Sequence, residues 1–463
     1  MLVTRLAAHK ARKVFAPFLA GLALVELYPG NVRANGAFPA VSQLVSDPSD
    51  RAHLVLRSNF GLLITHDRGA NWDWVCEAGL GYQNVEPAIA LLGDGTTIAA
   101  LPNGIAHGDT ECSFGLAAGL SSYVADVARV PGDPGNGAVA VSVQIDDGVS
   151  QVWRSLDAGK SWSRSGIALT DFNATTLDAA ADAGNTLYVS GVSQSGALTG
   201  VLVRSTDGGE TWTRWSIPFV SKTSAPYIAA IAANDAATLY VRLSGSPGTL
   251  LVSHDGGEHW ASVLAFEGPL DGFALSPDGR FALASGRVDG VWRARTSELV
   301  FERVSCTKLR CLSWTSSGLF ACADEYQAGF LVGQSTDSGA SFEPRLNLSC
   351  VRGPLACDGD SAVAQACDAR WPAQSEILGS DCANAGYTPR DDCSNTANAG
   401  ATGIAGATGI AGANASIAGA ASGQAGVRAS GGCSVSTSSS SRWLALIALA
   451  TVLGGAGRRR LRP

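Results

Sequence analysis

The sequence predicts an all-β fold, a seven-bladed β-propeller of four-stranded antiparallel blades. The first observation is an eight-residue pattern, Ser/Thr-x-Asp-x-Gly-x-x-Trp/Phe, which we call the box. It recurs five times and begins at residues 65, 155, 205, 253 and 335. The second observation is its spacing, because self-similarity at a period of roughly 20–50 residues indicates a repeat architecture. The third is that short β-rich runs separated by turn residues fill each interval, as in all-β assemblies.

Two long intervals each contain a degenerate copy of the box. Residues 107–114 keep Asp109 and Phe114 but have Glu111 where glycine is expected, and residues 294–301 keep Phe301 but have Glu298. Counting these copies gives seven units. Glycine reaches a positive φ without the steric cost that other residues carry. We therefore expect the two units that lack it to be the most irregular.

Every unit is expected to contain three strands, then the box as a turn, then a fourth strand. In the fourth unit the predicted strands are residues 175–181, 186–192, 201–204 and 211–217. In the fifth unit they are residues 227–232, 238–243, 249–252 and 259–264.

The box residues have structural roles in this interpretation. The aspartate and the Ser/Thr hydroxyl hydrogen-bond to nearby backbone groups, the glycine provides a positive φ, and the aromatic ring packs between sheets. We therefore assign no catalytic role and no cofactor to them. The structural box positions are Asp67, Gly69, Trp72, Asp157, Gly159, Trp162, Asp207, Gly209, Trp212, Asp255, Gly257, Trp260, Asp337, Gly339 and Phe342.

The five intact boxes resemble the Asp-box, or bacterial neuraminidase (BNR) repeat, of β-propellers. That group includes sialidases, xyloglucan-active glycosidases, sortilin-type receptors and photosystem II assembly factors. The resemblance covers about residues 37–349 and implies a propeller domain there. It implies little about function, because one fold supports many unrelated activities.

Residues 1–36 are predicted to be a signal peptide. Four basic residues precede an apolar stretch at residues 14–25, and small residues at 34–36 offer a cleavage point. A membrane-anchored N-terminus is the alternative, but an apolar stretch of this length is too short to span a bilayer.

The C-terminal region carries a second predicted targeting segment. Residues 433–463 contain Cys433, a serine run, the apolar residues 443–457 and a terminal arginine cluster. This order resembles the myxobacterial C-terminal sorting signal (MYXO-CTERM), which implies a sorting protease, processing near Cys433 and retention at the cell surface. A short transmembrane tail anchor is the alternative, and either places the body outside the cytoplasm. Residues 394–432, rich in Ala and Gly, are predicted to be a flexible linker.

The cysteine count predicts disulfides. Apart from Cys433 there are ten cysteines, an even number, in a chain predicted to be exported. Residues 350–393 are predicted to form a small Cys-rich module, with a helix over 361–378, that is attached to the last blades. The sequence leaves the pairing open. Metal binding by these cysteines is disfavoured, because no Cys-x-x-Cys pair occurs.

Charge excludes one class of partner. Without residues 1–36 and 434–463 the chain has 23 basic and 39 acidic residues, a net charge near −16. Nucleic-acid binding requires a basic surface and is therefore not expected. Cations, neutral glycans and basic protein surfaces remain open.

The sequence contains few candidate catalytic residues. The sialidase resemblance would bring an arginine triad and an Arg-Ile-Pro motif, and no Arg-Ile-Pro occurs. The candidate arginines, predicted instead to form ion pairs on the blade surface, are Arg57, Arg129, Arg154, Arg204, Arg242 and Arg293. Glycosidases need two carboxylates at a set separation, and the xyloglucan-active relatives use two propellers where this chain has one.

Other polar motifs are interpreted as turns. His66, His254 and His259 lie inside boxes and are expected to be exposed turn residues rather than metal ligands. Residues 146–148 and 133–135 are expected to form turns, and calcium binding there is the less favoured interpretation.

The predicted function is binding or recognition at the cell surface by a monomer, with a glycan or an envelope protein as ligand and without catalysis. The site is expected in loops on the face away from the boxes, with residues 132–137, 193–199 and 220–226 as candidates. The alternatives are an exo- or endo-acting glycoside hydrolase and an envelope assembly or scaffold factor.

Overall fold

The computed structural model describes residues 38–384, except 134, 135, 183, 194, 196, 197, 222, 223 and 380. The predicted signal peptide, the linker, Cys433 and the C-terminal sorting segment lie outside these residues. Within the described part of the chain, no helix has the length and apolar character needed to cross a membrane.

The described residues form seven sheets, each built on four antiparallel strands that follow one another in the chain, which confirms the predicted seven-bladed propeller. Blade 1 has β1 (Val41–Ser46), β2 (Leu54–Ser58), β3 (Gly61–Thr65) and β4 (Trp72–Val75). Blade 2 has β5 (Ile89–Leu91), β6 (Thr97–Leu101), β7 (Gly104–Thr110) and β8 (Ser113–Leu116). Blade 3 has β9 (Val124–Arg129), β10 (Ala138–Gln144), β11 (Val149–Ser155) and β12 (Ser163–Arg164), with the short β13 (Leu169–Thr170) also paired to β11.

The remaining blades follow in chain order. Blade 4 has β14 (Asn173–Ala179), β15 (Leu187–Ser193), β16 (Thr199–Ser205) and β17 (Thr213–Ile217). Blade 5 has β18 (Pro226–Ala232), β19 (Asp235–Leu243), β20 (Thr249–Ser253) and β21 (Ala261–Ala265). Blade 6 has β22 (Gly272–Leu275), β23 (Phe281–Gly286), β24 (Gly290–Arg295) and β25 (Glu302–Ser305). Blade 7 has β26 (Leu309–Thr315), β27 (Gly318–Ala323), β28 (Val332–Ser335) and β29 (Glu343–Leu346).

Helices are few and short. The α-helices are α1 (Glu325–Ala328), α2 (Ala362–Cys367) and α3 (Trp371–Leu378). The 3-10 helices are Glu77–Leu80, Leu348–Cys350, Asp368–Arg370 and Cys382–Asn384. The predicted helix over 361–378 is confirmed as α2, a 3-10 turn and α3, and the hydroxyl of Ser361 caps α2 by accepting from the N–H of Ala364.

The first strands of neighbouring blades contact one another in sequence around the ring, and β26 of blade 7 contacts β1 of blade 1. Each four-stranded set is continuous in sequence. The middle strands are buried on both faces, as the successive residues Leu54 and Val55 of β2 and Leu62 and Leu63 of β3 illustrate, because each blade is covered by a neighbour on either side.

The inner edges of several first strands are capped by side chains of the preceding blade. The amide of Gln43 exchanges two hydrogen bonds with the backbone of Ile89. The carboxylate of Asp126 accepts the N–H of Leu177 at 2.9 Å, and the hydroxyl of Thr176 accepts the N–H of Ile228 at 2.8 Å. An open strand edge otherwise presents unpaired backbone groups that invite pairing with another chain.

The segment after blade 7 returns to the beginning of the ring. Strand β30 (Val351–Pro354) pairs in parallel with β4, so that blade 1 has a fifth strand. Disulfides Cys76–Cys367 and Cys112–Cys357 attach this segment to blades 1 and 2, and Cys350–Cys382 lies within it. The described disulfides attach the segment to blades 1 and 2, whereas the sequence led us to expect attachment to the last blades, because the chain passes from blade 7 to the adjacent blade 1.

Loss of the box glycine does not single out blades 2 and 6. Register shifts between the third and fourth strands occur in both, but also in blades 5 and 7, which have intact boxes. In blade 2 the turn is shortened, with Thr110 paired to Ser113. In blade 6 Leu299 adopts the positive φ, at 53°. Blades 2 and 6 are thus irregular at this turn, as expected, but they do not differ in this respect from blades 5 and 7.

Candidate functional site

The two faces of the ring carry different connections. Turns joining first to second and third to fourth strands share one face, the box face, because neighbouring strands are antiparallel. Turns joining second to third strands, and the connections between blades, share the other, the loop face. Residues 193–199 and 220–226 lie in loop-face connections, as expected. Residues 132–137 join β9 to β10 and therefore belong to the box face, which contradicts the prediction.

The five intact boxes share one hydrogen-bond pattern. In blade 3 the hydroxyl of Ser155 donates to Asp157 at 2.8 Å and accepts the N–H of Gly159 at 2.9 Å. The carboxylate of Asp157 also accepts the N–H of Ser161 at 2.9 Å. The same contacts recur in blades 1, 4, 5 and 7. Each box aspartate is thus occupied in holding its own turn.

Hydrogen bonding fixes these aspartates in the ionised form. The hydroxyl and backbone N–H of Thr211 and the hydroxyl of Ser205 lower the pKa of Asp207 to about 2. Such a carboxylate is a poor general acid at neutral pH. The geometry therefore agrees with a structural role for the boxes.

The fourth box position shares the strained backbone of the fifth. Gly69, Gly159 and Gly339 have positive φ, and so do the residues before them, Arg68 at 61°, Ala158 at 59° and Ser338 at 58°. The sequence indicated only the glycine.

The box tryptophans differ in burial and in whether the indole N–H has a hydrogen-bond partner. The indole N–H of Trp72 and of Trp162 donates to the carbonyl of the box glycine at 3.0 Å, and both rings are buried. Trp212 is half-buried and its indole nitrogen has no hydrogen-bond partner.

Arginines before the boxes connect neighbouring blades. Arg204 donates to the carbonyl of Asp255 at 3.2 Å, in the box of the next blade. Arg293 donates to the carbonyl of Ser338 at 3.2 Å in the same way. The expected surface ion pairs are thus replaced, for these two residues, by bonds to backbone oxygens. An arginine bound to the next box is not available for a substrate carboxylate.

A groove of about 540 Å³ lies between blade 1 and α3 at the loop face. One wall is the turn between β2 and β3 with the connection that follows β4, and the other is α3 with the turn before it. Its lining is Pro39, Asn59, Phe60, Trp74, Cys76, Glu77, Ala78, Gln83, Asn84, Ala369, Arg370, Ala373, Gln374 and Ile377.

The second wall of the groove is held by contacts distant in sequence. Trp371 packs on Trp74, with ring centroids 5.5 Å apart, and the indole N–H of Trp74 donates to the carbonyl of Phe60. Cys367, immediately before the 3-10 turn that leads into α3, is bonded to Cys76. The sequence could not indicate this groove, because its walls lie almost 300 residues apart in the chain.

The groove combines apolar surface with several amide side chains and carries few charges. Amide side chains come from Asn59, Gln83, Asn84 and Gln374, while Ile377 adds an exposed apolar surface. Glu77 is the single carboxylate among the lining residues. Burial raises its pKa, although the N–H of Asn84 opposes this by hydrogen bonding.

Next to the groove, the connection between blades 1 and 2 holds a compensated charge. Arg57 donates to Ser42 at 3.0 Å and to the carbonyl of Pro87 at 3.0 Å, and Ser42 donates to Glu86 at 2.9 Å. Burial lowers the pKa of Arg57 despite the nearby charges of Glu86 and Asp126. This region therefore adds little net charge to the loop face.

Asp126 provides a test of the inner-edge caps. Burial raises its pKa to about 7, whereas an unfolded aspartate titrates at about 3.9. Between these values the folded state keeps a proton that the unfolded state has lost. Stability from protonated Asp126 is thus present below about pH 4 and is lost as pH rises through about 7. We therefore expect the free energy of unfolding of wild type to fall relative to that of Asp126→Asn as pH rises from about 4 to about 7. Urea titrations at several pH values measure this difference. A pH-independent difference would contradict the raised pKa.

Comparison with known proteins supports the fold. A family model described as BNR/Asp-box repeat matches residues 203–214, which contain the box of blade 4. The structure is similar to that of an ancestral GH74 enzyme, with a TM-score of 0.50 and 15% identity over 67% of this chain and 46% of that enzyme. This chain therefore spans less than half of that enzyme. No curated protein sequence matches the chain.

Two further solved structures are similar over comparable stretches. Kuenenia stuttgartiensis hydrazine synthase gives a TM-score of 0.46 at 12% identity, over 59% of this chain and 81% of that one. A GH74 enzyme of Niastella koreensis gives 0.29 at 12% identity, over 66% and 71%. At these TM-scores neither likeness supports an inference about this chain. The chain carries BNR/Asp-box repeats on a seven-bladed propeller, as its sequence predicts.

Proposed function

We propose that this chain is an exported, non-catalytic binding propeller that recognises a neutral glycan in the groove between blade 1 and α3. The observation that carries the proposal is the groove itself, with amide side chains from both of its walls and little net charge. Its volume of about 540 Å³ falls within the range of roughly 300–1,000 Å³ that ligand sites occupy.

The chemistry of the lining suits sugar hydroxyls. A hydroxyl both donates and accepts, and the amides of Gln83, Asn84 and Gln374 can do both in return. Arg370 and Glu77 add one donor and one acceptor of opposite charge. Ile377, which is 63% exposed, offers an apolar surface to the carbon face of a ring. A strongly charged ligand would find no matching excess of charge here.

The same lining argues against hydrolysis. Glycoside hydrolases place two carboxyl groups on either side of the scissile bond. Glu77 stands alone among the described groove residues, and each box aspartate is held by its turn. The raised pKa of Glu77 is the observation that favours the hydrolase alternative. The experiment below therefore includes a Glu77 variant.

Four disulfides join described cysteines, which is consistent with an extracellular protein. Retention at the cell surface through residues 433–463 remains part of the proposal. It rests on the sequence pattern of that segment.

The test is a glycan array with the purified protein, followed by titration of the best ligand. We expect Asn84→Ala and Gln374→Ala each to weaken binding by about 3- to 10-fold, the loss of one hydrogen bond. Gln365→Ala, at an exposed glutamine on α2 outside the groove, is the matched control and should bind like wild type.

Sugar release should be absent. Release that disappears in Glu77→Gln would overturn the non-catalytic proposal in favour of the hydrolase. Binding of an envelope protein that Gln374→Ala abolishes, with no glycan bound, would instead favour the scaffold alternative.

A further inference from the structure

Three turns of the box face bring two histidines and a glutamate together between blades 1 and 2. His53 ends the turn between β1 and β2, and His66 is the second residue of the box of blade 1. Glu111 occupies the glycine position of the degenerate box of blade 2. Their ligand atoms all lie within 4.8 Å of one another. The substitution that cost blade 2 its box thus supplies a carboxylate to this cluster.

The contacts within the cluster are close. The carboxylate of Glu111 lies between the imidazoles, with Oε1 2.7 Å from Nε2 of His53 and Oε2 2.9 Å from Nε2 of His66. The imidazole rings stack with centroids 4.4 Å apart. Three potential ligand atoms therefore converge from separate turns.

One of these contacts is buried. Nε2 of His53 and Oε1 of Glu111 lie 2.7 Å apart as an ion pair, but their geometry falls short of a hydrogen bond. The side chain of His53 is only 5% exposed, whereas that of His66 is 55% exposed. A buried ion pair costs desolvation free energy unless its hydrogen bonding is complete. A cation bound between the three side chains would coordinate both atoms in place of this ion pair.

The surroundings favour a cation. The cluster opens into a cavity of about 410 Å³ that is also lined by Asp47, Asp50, Asp94 and Asp109. Oδ2 of Asp47 lies 3.5 Å from Nδ1 of His53, while its Oδ1 accepts the N–H groups of Ser49 and Asp50. A carboxylate behind the distal nitrogen of a histidine is the usual support of a metal ligand.

We propose that His53, His66 and Glu111 form a binding site for a divalent transition metal, with Zn²⁺ as the preferred ion. Two imidazoles and a carboxylate are a ligand set that Zn²⁺ takes, with a fourth position left for water. Nitrogen ligands disfavour Ca²⁺ and Mg²⁺, which prefer oxygen. Ligands of tetrahedral Zn²⁺ lie about 3.3 Å apart, so the contacts at 2.7 and 2.9 Å must lengthen by about 0.4–0.6 Å. The exposed His66 has room to move, and Glu111 must move away from the buried His53.

A second cluster on the same face lacks these properties. Asp255, Glu258 and His259 also lie close together, but all three belong to the box of blade 5. The carboxylate of Asp255 is already hydrogen-bonded to its own turn, and the side chain of His259 is 87% exposed. It therefore serves as the matched control.

The test is isothermal titration of untagged, EDTA-treated protein with ZnCl₂, and separately with CaCl₂. We expect one Zn²⁺ per chain, a higher Tm with Zn²⁺ and no Ca²⁺ binding at this site. His66→Ala and Glu111→Gln should weaken Zn²⁺ binding by about 100-fold or more, and Asp47→Asn by about 10-fold, while His259→Ala should bind like wild type. Because His66 is half exposed, His66→Ala should keep the Tm of the EDTA-treated wild type.

Electron paramagnetic resonance with Cu²⁺, which binds nitrogen sites more tightly than Zn²⁺, gives a readout independent of folding stability. The wild-type spectrum should show two imidazole nitrogens, and His66→Ala should show one. Zn²⁺ affinity unchanged in both His66→Ala and Glu111→Gln, or no Zn²⁺ binding by wild type, would overturn the proposal.

Discussion

Replacing Cys76 and Cys367 together by alanine is expected to lower the free energy of unfolding by about 4 kcal/mol. The disulfide joins residues 291 apart, but Cys112–Cys357 already closes most of that loop. The additional loop is formed by residues 76–112 and 357–367, about 46 residues in length, and the chain-entropy estimate for it gives the stated value. Urea denaturation of the double variant measures the loss.

A second disulfide provides the control. Cys311–Cys322 joins paired positions of β26 and β27, with a sequence separation of only 11. Its removal should cost about 1 kcal/mol less and should leave hydrogen exchange in α2 and β4 unchanged. The Cys76/Cys367 variant should lose protection in those elements. Equal protection in both variants would show that β30 and the packing of α2 hold the segment without the disulfide.

Trp72→Ala is expected to destabilise the fold by about 3–5 kcal/mol. The ring is 1% exposed, its indole N–H donates to Gly69, and the residue pairs with Val351 of β30. The substitution therefore removes buried area, a hydrogen bond and part of the support of β30. Thermal and urea denaturation are the measurements.

Trp212→Ala is the comparison within the same repeat position. Trp212 is only half-buried, and its buried indole nitrogen has no partner in the described structure. Its loss should cost clearly less than that of Trp72. Equal costs would mean that burial and the glycine bond do not determine what a box aromatic contributes.

The repeat made most of the fold predictable. Period and turn residues located the blades, and the predicted strands of blades 4 and 5 lie within about three residues of those observed, for example 227–232 against Pro226–Ala232. The hydrogen bonds of the box also follow from its residue types, as Ser155 and Asp157 show. These features are local, so nearby residues suffice to determine them.

What escaped prediction depends on contacts between distant segments. The cysteine count indicated disulfides, but Cys112 could not be matched to Cys357 without the closed ring. The groove forms only because α3 packs against Trp74. The cluster of His53, His66 and Glu111 forms only because three turns of two blades come together. Glu111 was interpreted as a lost glycine, and the signal that could have changed this was its coincidence with histidines in neighbouring turns.

The position of β30 has a consequence for the order of synthesis. Blade 1 is the first blade to leave the ribosome, yet its outermost strand is Val351–Pro354. Cys76 likewise cannot form its disulfide until Cys367 has been synthesised. The sheet of blade 1 is therefore completed only when nearly all of the described chain has been made. A chain interrupted before residue 351 would contain seven blades and still lack the fifth strand of the first. Residues 351–367 can therefore attach to blade 1 only after all seven blades have been synthesised.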